Sequence, residues 1–171
     1  MPRRFTPAAA AAAAAVMAVL MLATVTPVSA SVIPPPGGAN CRVLWFHPAG
    51  DKAVLDWINT CLDPAPSSGP HEMIAEAEFG GQPSGKWQNC SITIQIYDMS
   101  LGGRKLGGAH SKDCLSVYKT GVPSTDKVEL PPILGQSGHT YMARAGLDCN
   151  YGGSSIQQCE QVAPSPNLTI P

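Results

Sequence analysis

Residues 87–97, WQNCSITIQIY, decide the fold class of this chain because polar and apolar side chains alternate within them from Asn89 to Ile96. The two faces carry different residues: Cys90, Ile92, Ile94 and Ile96 on one, and Asn89, Ser91, Thr93 and Gln95 on the other. A period of two that is rich in β-branched residues is typical of a strand with one buried face. The stretch therefore predicts a half-buried β-strand.

Similar short runs, separated by clusters of Pro and Gly, continue along the chain and predict further strands. We expect these at residues 42–47, 53–60, 73–79, 106–110, 114–119, 127–130, 139–146, 157–163 and 168–170. Residues 53–60 could form a short helix instead, and no run in this part of the chain has a sustained helical period. The sequence thus predicts an all-β protein. We expect a small disulfide-stabilised antiparallel β-sandwich, immunoglobulin-like in architecture, or a barrel.

Residues 138–144, GHTYMAR, resemble a tyrosine corner. In that motif a Tyr near the start of a strand bonds back to the backbone just before it, and Tyr141 is the candidate here. Immunoglobulin domains have a Cys two residues after this Tyr, where the chain has Ala143. The resemblance therefore extends to the architecture and does not include a central disulfide between the sheets.

The first thirty residues have the composition of a secretory signal. Arg3 and Arg4 precede an uncharged apolar run over residues 8–22, and Val28-Ser29-Ala30 fits a signal peptidase site. The alternative, a membrane anchor, is disfavoured because such a run is shorter than the roughly 20 residues that span a bilayer. We expect residues 1–30 to be a cleaved secretory signal peptide and the protein to be secreted and extracellular.

Beyond the predicted cleavage site the chain has two parts. Residues 31–40, SVIPPPGGAN, predict a flexible Pro/Gly-rich arm. Residues 41–171 predict a single disulfide-rich β domain. The formal net charge of the whole chain is −1, and no run of like charge occurs. Nucleic acid is therefore not an expected partner, nor is a membrane after signal cleavage.

All six cysteines follow the predicted cleavage site, and an even number in an exported domain predicts disulfides. The chain has no CxxC pair of the kind that zinc or redox sites use, so we expect no metal and no cofactor. Sequential pairing is favoured because each pair then encloses a turn signal, although other connectivities stay open. The predicted bonds are Cys41–Cys61, Cys90–Cys114 and Cys149–Cys159.

Candidate catalytic groups are few. Residues 135–139, GQSGH, partly resemble the glycine-flanked serine of trypsin-like proteases, but Gln136 replaces the acidic residue and His139 the final glycine. A nucleophile needs a base oriented by a third group, and no such set stands out. His110 and Asp113 could contribute to a metal site assembled across loops.

A carboxylate pair is the remaining catalytic candidate. Glu76 and Glu78 share one strand face, which is predicted to point into water rather than to form an acid and base pair. We therefore predict that the protein is not an enzyme and has no catalytic residues.

The polar, glycine-containing loop between Cys149 and Cys159 is the candidate binding site, since loops on a rigid scaffold often carry function. Its candidate contact residues are Asn150, Tyr151, Ser154, Ser155 and Gln157. The sequence favours a secreted non-enzymatic domain that binds an unknown extracellular protein or glycan.

Two alternatives remain open. One is a secreted protease inhibitor, because a rigid loop lowers the entropic cost of binding. The other is a carbohydrate- or cell-wall-binding module in which two of Trp45, Trp57 and Trp87 form an exposed stacking platform.

Overall fold

The structure is a computed structural model that describes residues 33–65, 69–119 and 123–171. The predicted signal peptide, residues 1–30, lies outside the described residues, as do the first two residues of the predicted arm. Within the described ranges, no helix is long and apolar enough to cross a membrane.

The described chain forms ten strands, one α-helix and two 3-10 turns. The strands are β1 Cys41–Phe46, β2 Asp56–Pro64, β3 Glu72–Gly81, β4 Trp87–Asp98, β5 Arg104–Asp113, β6 Thr125–Glu129, β7 Ile133–Leu134, β8 Thr140–Tyr151, β9 Gln157–Pro164 and β10 Leu168–Thr169. The helix α1 is Leu115–Lys119, and the 3-10 turns are Pro48–Gly50 and Met99–Leu101.

The strands form two antiparallel five-stranded sheets. Sheet A has the order β1-β2-β3-β6, with β7 also pairing β3. Sheet B has the order β10-β8-β4-β5, with β9 also pairing β8. Side chains from both sheets meet in one core, and neither sheet closes on itself. The all-β class, the antiparallel pairing and the sandwich-like arrangement are therefore confirmed.

The alternating pattern of residues 87–97 produces the predicted half-buried strand. Ile92, Ile94 and Ile96 of β4 are fully buried, and Cys90 is nearly so. On the opposite face Gln95 is also buried, and its side-chain amide is satisfied by donating to the carbonyl of Leu106 at 2.8 Å. The alternation in β3 is confirmed as well, with Met73, Ala75, Ala77 and Phe79 all fully buried.

Helix α1 occupies Leu115–Lys119, so the prediction of a strand over residues 114–119 is wrong. Asp113 caps the helix, its Oδ1 accepting from the N–H of Leu115 at 3.0 Å. Val117 and Tyr118 are adjacent in sequence and both face the core. Successive residues of a strand point to opposite faces, whereas a helical turn lets both of these side chains pack into the same core. Tyr118 stacks on Trp87 with ring centroids 4.7 Å apart.

Tyr141 forms the hydrogen bond expected of a tyrosine corner. Its hydroxyl accepts from the backbone N–H of Gln136 at 2.7 Å, and the side chain is almost fully buried. The bond fixes the turn that leads into β8.

We expect Tyr141→Phe to lower the free energy of unfolding by about 1 kcal/mol, because the N–H of Gln136 loses its acceptor. Equilibrium denaturation in urea measures the change. Tyr97→Phe is the matched control, since its ring should remain under the guanidinium of Arg144, 4.7 Å away. We expect the control to change stability by less than about 0.5 kcal/mol. A Tyr141→Phe effect no larger than that of the control would contradict the role assigned to the hydroxyl.

Candidate functional site

The three predicted disulfides are present, and none of the six cysteines is free. Cys149 on β8 lies directly opposite Cys90 on β4 and Cys159 on β9. The bonds Cys90–Cys114 and Cys149–Cys159 therefore lie side by side at one end of sheet B. Together they brace the start of α1 and the loop between β8 and β9.

This loop, residues 150–158, is called the braced loop below. It presents four of its five predicted contact residues at the surface, while the fifth is only 3% exposed. Ser154, Ser155 and Gln157 are exposed, Asn150 is half-buried, and Tyr151 is the buried one.

Tyr151 anchors the braced loop to the rest of the domain. Its hydroxyl donates to Asp51 Oδ2 at 2.7 Å and lies 3.1 Å from Ser84 Oγ. Its ring packs edge-on against Trp87, with centroids 5.3 Å apart. Lys86 Nζ also donates to Asp51 Oδ2, at 2.8 Å.

The protonation states of Asp51 and Tyr151 at neutral pH favour the hydrogen bond between them. Hydrogen bonds from Lys86 and Tyr151 lower the pKa of Asp51 to about 2. Burial, together with the neighbouring Asp51 carboxylate, raises the pKa of Tyr151 to about 12. At neutral pH the carboxylate is therefore ionised and the phenol is protonated, as their hydrogen bond requires.

A groove of about 500 Å³ lies on the outer face of sheet B beside the braced loop. We call it the polar groove. Two cross-strand rows of side chains line it, and the first is a row of amides. Asn150 lies directly opposite Asn89 on β4 and Gln158 on β9. Amides offer both donors and acceptors, so this row can bind peptide groups or hydroxyls.

The second row of the polar groove is acidic. Ser91 lies directly opposite Asp113 on β5 and Asp148 on β8, and Asp148 lies opposite Glu160 on β9. Like charges at directly opposite positions destabilise a sheet. No Lys or Arg is among the described residues that line the groove, and none of the three carboxylates forms an ion pair within the described chain. The groove is therefore suited to a cationic group.

Among the lining residues of the polar groove, sequence reasoning proposed only Asn150 as a contact residue, whereas Asp113 was considered as a metal ligand and Cys90 as part of a disulfide. The pattern of residues 87–97 placed Asn89 and Ser91 on a polar face, which was a partial signal. Asp113 and Asp148 join them only through the registers of β5 and β8 with β4.

The partial protease motif forms a turn before β8. Ser137 Oγ donates to the carbonyl of Pro171 at 2.8 Å, whereas His139 Nδ1 lies 2.8 Å from Asp98 Oδ2. Ser137 and His139 thus bind different groups. They do not form the hydrogen bond that joins a nucleophile to its general base.

His110 and Asp113, the two residues considered as metal ligands, have different surroundings. His110 Nδ1 lies 2.9 Å from the carbonyl of Glu129, while Asp113 lines the polar groove. Among the described residues, one group of three has metal-ligating atoms close together: Cys41, Cys61 and Asp63. Two of its three ligand atoms are the sulfurs of a disulfide, which are not thiolate ligands.

Glu76 and Glu78 face outward from sheet A, as expected from the pattern of β3. Lys127 Nζ donates to Glu76 at 2.8 Å and to Glu129 at 3.1 Å. Burial and the neighbouring Glu76 raise the pKa of Glu78.

The tryptophans do not form an exposed pair. Trp57 and Trp87 are fully buried, and Trp45 is 45% exposed. The sugar-stacking platform considered from the sequence needs two exposed rings, so this structure does not present one.

Comparisons of the chain with protein-family models, curated proteins and solved structures give no significant match. The acidic polar groove beside the braced loop is therefore the feature of the molecule that bears on its function.

A buried carboxyl group lies at the start of β2, near this loop. Asp56 is fully buried, and its Oδ1 accepts from the backbone N–H of Gln82 at 3.0 Å. Its Oδ2 has no hydrogen-bond partner among the described residues. Burial raises the pKa of Asp56 to about 8. The folded protein therefore holds a proton that the unfolded chain releases near pH 4.

We expect the free energy of unfolding to fall as pH rises from about 4 to about 8. The contribution of protonated Asp56 is complete below pH 4 and is lost as pH rises through the folded pKa, by at most about 6 kcal/mol. Asp56→Asn should remove this slope and stabilise the protein at pH 8, as measured by urea denaturation at several pH values. The exposed Asp148→Asn is the control and should keep the slope. An unchanged slope in Asp56→Asn would show that another group is responsible.

Proposed function

We propose that the protein is a secreted, non-enzymatic β domain, immunoglobulin-like in architecture, that binds an extracellular protein partner. The braced loop and the polar groove together form its contact surface. Three disulfides in a domain of this size support an oxidising compartment, because such bonds persist outside the cytosol. The tyrosine-corner bond of Tyr141 supports the immunoglobulin-like architecture.

The observation that carries the proposal is a row of three carboxylates that form no ion pair within the described chain, beside a covalently braced loop. Asp148 and Glu160 lie directly opposite each other, so a cation beside Asp148 would relieve the repulsion expected between them. Asp113 lies across β4 from Asp148, opposite Ser91, and adds a third carboxylate to the row. The amide row can bind the peptide groups that flank such a cation. The partner segment is therefore basic, with a Lys or Arg side chain in the groove, and charge complementarity would speed its association.

The Cys149–Cys159 disulfide and the Tyr151 anchor would lower the entropic cost of binding by the braced loop. The loop residues that would contact a partner lie between two strands joined by Cys149–Cys159 and are anchored by Tyr151. Because the loop is already ordered, little conformational entropy is lost when it contacts a partner.

We expect Asp113→Asn combined with Asp148→Asn to weaken partner binding at least about tenfold, because the cation loses two of its counter-charges. The purified protein is immobilised, growth medium of the producing cells is passed over it, and retained proteins are quantified by mass spectrometry. The affinity of the best-retained protein is then measured for each variant at low and high salt.

Glu76→Gln combined with Glu129→Gln is the matched control, since it removes two carboxylates from the outer face of sheet A instead. This control should retain the partner as the unmodified protein does. Equal retention by the groove variant and the control, or binding that is independent of salt, would rule out the polar groove as the contact site.

A second candidate function is inhibition of a secreted protease. The observation that favours it is Ile156, which is 60% exposed within the braced loop and could enter a specificity pocket. Stoichiometric inhibition of a trypsin- or subtilisin-like protease that is lost in Ile156→Ala would support this function. Cleavage of the protein without inhibition of either protease type would remove it.

A further inference from the structure

Residues 33–36, Ile-Pro-Pro-Pro, lie across the outer face of sheet A, and we call them the strap. Two side chains of β2 hold it in place. Trp57 Nε1 donates to the carbonyl of Ile33 at 2.7 Å, and Asn59 Nδ2 donates to the carbonyl of Pro36 at 2.9 Å. Trp57 and Asn59 face outward, yet both are almost completely buried.

The sequence of the strap favours a polyproline-II conformation. Ile33, Pro34 and Pro35 each precede a proline, which disfavours the helical region, and proline itself fixes φ near −65°. A polyproline-II helix repeats every three residues, so the carbonyls of Ile33 and Pro36 point the same way. These are the two carbonyls that β2 binds. The two donors, in turn, are two residues apart on a strand and share one face.

The surface beneath the strap is shaped for the Trp57 indole. Trp45 lies directly opposite Trp57 on β1 and is 45% exposed on the same face. Gly80 lies opposite Trp57 on β3, where an added Cβ would come within 2.8 Å of the indole ring. The glycine thus leaves room for the ring to lie against the sheet.

We propose that Trp45, Trp57 and Asn59 form a recognition surface for a polyproline-II segment of a partner protein, with the strap as its occupant within the chain. Aromatic side chains that flank hydrogen-bond donors are the usual means of recognising such segments. The ligand class is a proline-rich peptide with accessible carbonyls three residues apart. This surface lies on sheet A, so the inference is separate from the polar groove on sheet B.

The strap can be exchanged for an equivalent segment without disrupting the sheet. Its residues are largely exposed, and Gly37 and Gly38 separate it from β1. An added Cβ on Gly37 would meet nothing within 4 Å, so the connection is open at the residue that follows the strap, whereas Gly38 packs against Cys41. A tethered strap competes at a high effective concentration, on the order of millimolar for short linkers. Binding of a partner is therefore weak while the strap is in place and stronger once it is displaced.

The test replaces residues 33–36 with Gly-Ser-Gly-Ser and titrates the variant with a peptide of the sequence SVIPPPGG. NMR spectra of the three tryptophan indole N–H groups report binding, and Trp57→Phe identifies the Trp57 signal. We expect the peptide to shift that signal and to bind the strap-replaced variant at least about tenfold more tightly than the intact protein. An unchanged Trp87 signal shows that the core remains folded.

Two matched controls test the chemistry of recognition. Asn59→Asp in the strap-replaced protein keeps the shape but removes the donor, and should weaken peptide binding at least about tenfold. The peptide SVIAAAGG lacks the preset polyproline-II conformation and should bind at least about tenfold more weakly.

Three outcomes would overturn the proposal. They are no shift of the Trp57 signal at millimolar peptide, equal affinity for the two peptides, and binding of a soluble glucan oligosaccharide in place of the peptide. Light scattering of the intact protein addresses exchange between copies. A monomer at all concentrations is expected, and a concentration-dependent dimer that disappears on strap replacement would show that the occupant is a second copy.

Discussion

The antiparallel pairing of β4 with β8 is the constraint on which the rest of the structure depends. It runs from Trp87 opposite Tyr151 to Asp98 opposite Tyr141. Side chains alternate across a strand, so this register decides which residues enter the core and which form the polar groove. A slip of one residue would exchange the two sets and bury the carboxylates. The pairing also places Cys90 beside Cys149, and thereby fixes both α1 and β9.

What could be predicted from the sequence was mainly local. The alternation of residues 87–97 and the sequential disulfides depend on neighbouring positions or on pairs at most 24 residues apart. Helix α1 was missed because it is a single turn with no sustained period, held by a cap from Asp113 and a disulfide at Cys114. The burial of Asp56 was missed for a different reason. It depends on Gly81 on the neighbouring strand, where any side chain would collide with the Asp56 carboxylate.

Most of the candidate site could not be predicted from local sequence either, but one local signal was overlooked. The acidic row requires the registers of β5, β8 and β9 with their neighbours, and no pattern within a single strand contains that information. The burial of Tyr151, however, could have been inferred. Tyr151 lies two residues after Cys149 and therefore shares its face, and a disulfide that joins two strands of a sandwich core faces inward. The odd-numbered residues of β8 face the core, so Tyr151 is an anchor, whereas the even-numbered Asn150 faces the surface.

The two proposed surfaces differ in the physics of binding and lie on opposite sheets. The polar groove on sheet B is proposed to bind through carboxylates, so salt in the medium would weaken that binding by screening. The surface on sheet A is proposed to bind through an indole ring and neutral donors, whose interactions salt would screen little. The core separates the two surfaces and they share no residue, so changes in one should add to changes in the other. A single partner would have to reach around the edge of the sandwich to touch both. The arrangement therefore favours two separate partner segments, one basic and one rich in proline.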